Sequence, residues 1–121
     1  MGLFKSFYYA IIGISYVFKN ERNARIHFLM AILALGLGVA LGVSSAELAA
    51  IFFAVIIVFV AEIINTAIEK TLDLIDTKRN PQVAIIKDMV AGAVLVAAGG
   101  ALIIGVVIFW PYVLDLAWRY R

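Results

Sequence analysis

Long apolar stretches dominate the chain and predict helices that cross a membrane. An uncharged stretch follows residue 27, and another covers residues 89–110. A helix rises about 1.5 Å per residue, so about 20 apolar residues cross a hydrocarbon core about 30 Å thick. The pattern predicts spans at about 26–45, 46–75 and 82–110, and the middle one continues beyond the bilayer.

Residues 3–20 show a different pattern, in which apolar side chains recur every three or four positions. Leu3, Phe7 and Ile11 follow this spacing, and Lys5 and Ser6 lie between them. Such an amphipathic pattern is typical of a helix that lies in the interface between water and lipid. The predicted fold is therefore all-α and membrane-embedded, with an N-terminal surface helix and three spans in a single domain.

The composition supports a lipid environment for these helices. Apolar residues make up 65% of the 121 positions, charged residues make up 15%, and the mean hydropathy is +1.07. Soluble domains are nearer half apolar, and a chain this short has too little interior to hide so much apolar surface. The absence of cysteine excludes disulfides and thiolate metal sites. A net charge of +2 without a basic run gives no support for nucleic-acid binding.

The basic residues lie mostly on one side of the predicted spans. All ten Lys and Arg residues except Arg119 and Arg121 share that side: Lys5, Lys19, Arg22, Arg25, Lys70, Lys78, Arg79 and Lys87. Short loops rich in Lys and Arg stay in the cytoplasm. We therefore predict that the N-terminus and the 70–88 region are cytoplasmic and that the C-terminus lies outside.

Small residues recur at intervals of four in two of the spans. These residues are Gly38 and Gly42 in the first span, and Ala93, Ala97, Ala101 and Gly105 in the third. Stripes of this kind let helices approach closely in lipid. They predict close packing within or between subunits.

A polar stripe runs along the middle helix, where lipid disfavours such residues. At about 100° per residue its members lie within roughly 60° of the Glu62 direction: Glu62, Asn65, Thr66, Glu69, Asp73 and Asp76. Like charges one turn apart repel, and an ionised group near hydrocarbon needs a partner. A divalent cation or a cationic side chain would supply one. Further polar groups stand at the ends of the other spans, in residues 21–27 and at Lys87 and Asp88.

Carboxylates and a lysine at a membrane surface are groups that phosphoryl transfer uses. Carboxylates hold Mg²⁺ against phosphate oxygens, a lysine neutralises charge, and a further carboxylate accepts a hydroxyl proton. The chain has no glycine-rich P-loop, so helix side chains would have to form a nucleotide site. These residues predict metal-dependent chemistry at the cytoplasmic interface, with a non-enzymatic ion or proton pathway as the alternative.

Two motifs resemble the signature of the prokaryotic diacylglycerol kinase family. They are E-I-I-N-T-A-I-E at 62–69, followed by Asp73, and K-D-M-V-A-G-A-V at 87–94. The segment E-R-N-A-R-I-H at 21–27 is similar to the Gram-positive branch, whose members act largely as undecaprenol kinases. The resemblance implies a lipid kinase of the bacterial plasma membrane that uses Mg²⁺ and ATP and forms a homotrimer with shared active sites. Undecaprenol is the first expected substrate, and diacylglycerol is the alternative.

The resemblance also implies which side chains carry the chemistry. Glu62 would be the catalytic carboxylate near the lipid hydroxyl, and Asn65 would hold either that carboxylate or the acceptor. Lys87 would contact the ATP phosphates and take part in catalysis.

The same resemblance implies the ligands of the cofactors. Glu21 and Glu69 would bind Mg²⁺ on the ATP phosphates. Asp88 would orient Lys87 or shape the nucleotide site. Lys5, on the cytoplasmic side, is a further candidate for ATP binding.

Simpler roles stay open for three of the polar residues. Glu21 could form an ion pair with Arg25 one turn on, and Asp73 could pair with Lys70 or Arg25. His27 stands where the diacylglycerol-specific branch carries an acid, and it is expected to be an interfacial hydrogen-bonding residue.

Overall fold

The computed structural model describes residues 2–75 and 80–120, which form four α-helices. These are α1 (Leu3–Asn20), α2 (Arg22–Leu41), α3 (Ser45–Ile75) and α4 (Pro81–Arg119). The predictions for Asp76, Lys78, Arg79 and Arg121 lie outside the described residues.

Three of the helices, α2, α3 and α4, are long and apolar enough to cross a membrane. With 20 residues, α2 is about as long as the hydrocarbon core is thick. The 31 residues of α3 and the 39 residues of α4 exceed what one crossing requires. Many large apolar side chains on these helices are exposed on the single chain, as lipid-facing or subunit-facing surfaces would be. The predicted all-α membrane fold with a separate N-terminal helix is confirmed.

Glu21 forms the corner between α1 and α2. Its backbone is extended, with φ −104° and ψ 117°, and its N–H group donates a 2.8 Å hydrogen bond to the carbonyl of Val17. The Arg25 guanidinium donates to the carbonyls of Phe18 and Lys19, at 3.0 Å each. A cationic side chain therefore satisfies the free carbonyls at the C-terminal end of α1.

Three phenylalanine rings join α1, α2 and α3 close to this corner. The ring centroid of Phe18 lies 5.2 Å from that of Phe28 and 5.5 Å from that of Phe59. Val17, beside Phe18, is also buried. The end of α1 is thus packed against the bundle, and Glu21 is held beside it.

The two glycines of the first span have different roles. A Cβ atom at Gly38 would lie 3.2 Å from Cδ1 of Leu48 and 3.5 Å from Cδ1 of Ile51, so this position allows α2 to approach α3 closely. Gly42 ends α2 with φ +68°, a left-handed conformation that glycine adopts without a Cβ penalty. The predicted close packing is observed at Gly38, within one chain.

The first turn of α3 carries a reciprocal cap. The Ser44 N–H group donates to Oε2 of Glu47 at 2.8 Å, and the Glu47 N–H group donates to Oγ of Ser44 at 3.2 Å. This arrangement is a capping box, which satisfies two donors at the helix start. The Tyr112 hydroxyl donates a further 2.7 Å hydrogen bond to Oε2 of Glu47 and so connects α4 to the cap.

The last helix starts as its sequence predicts and ends later than the predicted span. Asn80 is its N-cap, accepting a 2.9 Å hydrogen bond from the N–H group of Gln82, and Pro81 occupies the first turn. The helix continues through Pro111 to Arg119, whereas the predicted span ends at 110. A proline inside a helix removes one backbone hydrogen bond, and this helix continues past it.

The central helix of the bundle is α3, which packs against both α2 and α4. In contrast, α2 and α4 make little contact with each other. An apolar groove with a volume of about 650 Å³ lies between them, over the surface of α3.

Candidate functional site

Glu62 lies in α3 and is 2% exposed, the most deeply buried charged residue in the described part of the chain. Thr66, one turn later, is 3% exposed. An ionisable group inside a membrane helix is costly unless it has a partner or a function. The predicted catalytic carboxylate is therefore placed in the interior of the bundle and away from lipid.

His27 of α2 faces this carboxylate. Its Nε2 atom lies 4.0 Å from Oε2 of Glu62, and the two side chains are 24% and 3% exposed. From the sequence, His27 was expected only to form hydrogen bonds at the membrane interface, and its proximity to Glu62 was not predicted. Consecutive spans run antiparallel, so a polar residue at the start of one span can lie near an acid late in the next, and this pattern could have indicated the contact.

Two further carboxylates, those of Glu21 and Glu69, lie towards the same end of the bundle as Glu62. Glu69 is two turns from Glu62 on the same face of α3, and Glu21 follows the end of α1 that packs on α3 through the Phe18 and Phe59 rings. Both residues are partly buried. The Arg25 guanidinium donates to the carbonyls of Phe18 and Lys19, and among the described residues the ion pair with Glu21 that was considered from the sequence does not form.

The donor chemistry of these carboxylates fits Mg²⁺. Mg²⁺ prefers oxygen ligands and is commonly held by one or two carboxylates, with water and substrate phosphates completing its shell. In the described residues no three His, Cys, Asp or Glu side chains converge into a metal-binding cluster. Glu21 and Glu69 supply oxygen ligands of this kind, and they would hold the ion together with water and substrate phosphates.

Lys87 and Asp73 form an ion pair between α4 and α3. The Nζ atom of Lys87 donates to Oδ1 of Asp73 at 2.6 Å, and the side chains are 34% and 49% exposed. From the sequence, Lys70 and Arg25 were the expected partners of Asp73, and its contact with Lys87 was not predicted. Asp88, which was predicted to orient Lys87, is exposed.

Asn65 lies about 60° around α3 from Glu62 and borders a second apolar groove of about 470 Å³. Its Oδ1 atom is buried without a hydrogen-bond partner in the described structure, as is Oγ1 of Thr66. Buried polar atoms in native structures usually have a partner. Because neither atom has a partner within the described residues, each could form a hydrogen bond to a bound molecule.

Lys5 is not brought near the other candidates in a single chain. It lies in the first turn of α1 and is exposed, while Glu21 follows the last turn. At about 1.5 Å per residue, the helix separates the two backbones by about 24 Å.

The apolar groove between α2 and α4 reaches the carboxylate site. His27 borders it at one end, and Trp110 and Val113 border it at the other. Small side chains along it, including Ala101 and Gly105, leave the space open. The groove therefore offers a long apolar surface that ends beside the His27–Glu62 pair.

Comparison with known proteins shows which family the sequence resembles. Residues 8–109 match the family described as prokaryotic diacylglycerol kinase. The undecaprenol kinase of Bacillus subtilis is 42% identical over 108 residues, covering 89% of this chain and 88% of that protein. A Synechocystis diacylglycerol kinase is 36% identical over 94% of this chain and 66% of its own length. A Haemophilus influenzae diacylglycerol kinase is 30% identical over 78% of this chain and 80% of its own length.

Proposed function

This chain belongs to the prokaryotic diacylglycerol kinase family and is a lipid kinase, and from that premise we propose that it phosphorylates undecaprenol. Membership of the family, predicted from the motifs at 62–69 and 87–94, is confirmed. The alternative of a non-enzymatic ion or proton pathway is set aside, because the chain and its relatives are kinases.

The observation that carries this proposal is the buried Glu62 carboxylate, which lies 4.0 Å from His27 at the end of an apolar groove. A lipid chain in the groove would bring its hydroxyl group towards Glu62. The carboxylate takes the hydroxyl proton, the hydroxyl oxygen forms a bond to the γ-phosphorus of ATP, and the bond to the leaving ADP oxygen breaks. Positioning of this kind is the main contribution that a protein makes to phosphoryl transfer.

The nucleotide would lie along the polar face of α3. Along the helix axis, Glu62 is about 10 Å from Glu69 and about 16 Å from Asp73. In this proposal the γ-phosphate faces Glu62, and the remainder of the nucleotide extends towards Lys87, the partner of Asp73. Asn65 would hold the acceptor or the Glu62 carboxylate, and Asp88 and Lys5 are peripheral candidates for nucleotide contact.

Glu21 and Glu69 would hold Mg²⁺ in this proposal. When bound, the ion neutralises charge on the phosphate oxygens. Two carboxylates and the phosphates supply oxygen ligands of the kind that Mg²⁺ prefers.

Undecaprenol is proposed ahead of diacylglycerol for two reasons. The Bacillus subtilis relative, whose name gives undecaprenol as its substrate, is 42% identical over most of both chains. In addition, His27 occupies the position where the diacylglycerol-specific branch carries an acid. Diacylglycerol is the alternative substrate, since two other relatives are named for it.

We also propose a homotrimer with shared sites, oriented with the N-terminus in the cytoplasm. Small residues on α4 support sharing between subunits, because a Cβ atom at Gly100 would meet nothing within 4 Å in one chain, which leaves room for a partner helix. The concentration of Lys and Arg near the site supports the orientation.

The proposal is tested by reconstituting the purified protein in lipid vesicles with ATP labelled at the γ-phosphate. Undecaprenol and diacylglycerol are supplied separately and then together, with Mg²⁺ present or chelated. We expect Mg²⁺-dependent transfer of label, with undecaprenol favoured in competition. Label entering only diacylglycerol would replace the substrate, and no transfer to either alcohol would contradict the proposed activity.

A further inference from the structure

His27 has contacts with both parts of the proposed site. Its imidazole lies 4.0 Å from the Glu62 carboxylate, and the same side chain borders the apolar groove between α2 and α4. With 24% of its side chain exposed, it is neither a core histidine nor a freely solvated one. His27 therefore occupies the junction between the groove and the buried acid.

The polar groups around Glu62 differ in what they can offer its carboxylate. The nearby Glu21 and Glu69 carboxylates can only accept hydrogen bonds when ionised, whereas the His27 imidazole can donate one through a ring N–H group. Within the described residues, His27 is the one group recorded at ion-pair distance from Glu62. The orphaned Thr66 hydroxyl, one turn from Glu62, makes no hydrogen bond to it.

An imidazole N–H group can restrain a carboxylate in one orientation. A separation of 4.0 Å exceeds a direct hydrogen bond, so a side-chain rotation or one bridging water would complete the contact. A hydrogen bond to an ionised group is stronger than one between neutral groups. Such a donor would keep the proton-accepting oxygen directed towards the groove.

We propose that His27 is a positioning residue, which holds the Glu62 carboxylate towards the lipid hydroxyl at the end of the groove. This inference rests on the lipid kinase function proposed above. It differs from the role expected from the sequence, in which His27 only forms hydrogen bonds at the membrane interface. A positioning role predicts a defect in turnover that a structural role would not produce.

The test compares His27→Ala, His27→Gln and Leu29→Ala in vesicles with saturating undecaprenol. We expect His27→Ala to lower kcat by about 10- to 100-fold, the effect of losing a hydrogen bond to a charged group, with KM for Mg·ATP within about twofold. His27→Gln keeps an N–H donor and should recover most of the loss. Leu29 lies on the same helix, is exposed and borders neither groove, so Leu29→Ala should stay within about twofold of the wild type.

The outcomes separate this inference from the proposed function. A wild-type protein that phosphorylates neither undecaprenol nor diacylglycerol overturns both. An active wild type with His27→Ala at more than half its kcat overturns only the role of His27, as does a His27→Gln variant as slow as His27→Ala. If His27→Ala does not fold, His27→Leu replaces it, and equal kcat for His27→Leu and His27→Gln overturns the inference.

Discussion

The Nζ atom of Lys87 lies 2.6 Å from the Asp73 carboxylate, and this ion pair connects α4 to the polar face of α3. A lysine ammonium group has three donors, so this contact leaves it able to bind phosphate as well. Asp73 thereby fixes the direction of the lysine that family resemblance assigns to the ATP phosphates.

Replacing Asp73 with Asn should weaken ATP binding without unfolding the protein. Lys87 would lose a charged partner and its fixed direction. For a partly exposed ion pair we expect KM for ATP to rise by about two- to fivefold, with a small change in melting temperature. Steady-state kinetics at saturating lipid measures this effect. Asp115→Asn is the matched control, because Asp115 pairs with Arg119 beyond the far end of the groove, and an equal rise there would refute the assignment.

The helices could be predicted from the sequence because each follows from a local pattern. Uncharged stretches defined the spans, and Pro81 stands at the start of α4 because its ring fixes its own backbone. Gly42 was predicted to pack against another helix together with Gly38, and it instead ends α2 in a left-handed conformation. The continuation of α4 past Pro111 was missed, since a proline ordinarily argues for an end. The Tyr112–Glu47 hydrogen bond that connects this segment to α3 joins residues far apart in sequence.

The site was only partly predictable, because some of its contacts join residues that are far apart in the sequence. The spacing of Glu62 and Glu69 placed them on one helical face, which needs no knowledge of other helices. The contacts of Glu62 with His27 and of Lys87 with Asp73 depend on the register between helices. Periodicity describes the faces of a single helix and does not give that register.

Glu69→Gln should change the Mg²⁺ dependence of the reaction. The substitution removes one anionic ligand and keeps the side-chain shape. We expect the Mg²⁺ concentration for half-maximal activity to rise by about tenfold or more, in line with the loss of a metal contact. A titration of Mg²⁺ at fixed ATP measures it, with Asp115→Asn as the control. Identical Mg²⁺ curves for Glu69→Gln and the wild type would remove Glu69 from the metal site.

Two impaired variants should restore activity to each other if sites are shared between subunits. Lys5 lies far from the other candidates within one chain, so Lys5→Gln and Glu62→Gln are mixed in denaturing detergent and reassembled, and some sites then receive an intact Lys5 and an intact Glu62 from different chains. We expect activity to rise well above that of either variant reassembled alone. Differently tagged chains show that mixing occurred. Activity that stays at the single-variant level in proven mixed assemblies would indicate self-contained sites.

Tyr112→Phe should lower stability and leave catalysis unchanged. The variant loses only the hydroxyl that donates to Glu47, at the opposite end of α3 from Asp73 and Lys87. We expect a lower melting temperature in detergent and an unaltered kcat for the folded protein. Tyr120→Phe is the control, since Tyr120 is exposed near the same end of α4. Equal melting temperatures for the two variants would mean that the Tyr112 contact does not stabilise the bundle.

The most direct test of the account is the turnover of Glu62→Gln, measured with undecaprenol on a preparation whose melting temperature is also recorded. Glu62 is buried at the end of the groove, and a neutral amide there removes the cost of holding a charge. We predict that kcat falls by about 10²–10⁴-fold, the usual contribution of a positioned base, while the melting temperature is unchanged or higher. A folded Glu62→Gln protein with near-normal turnover, or one that loses stability while its folded fraction stays active, would contradict the account.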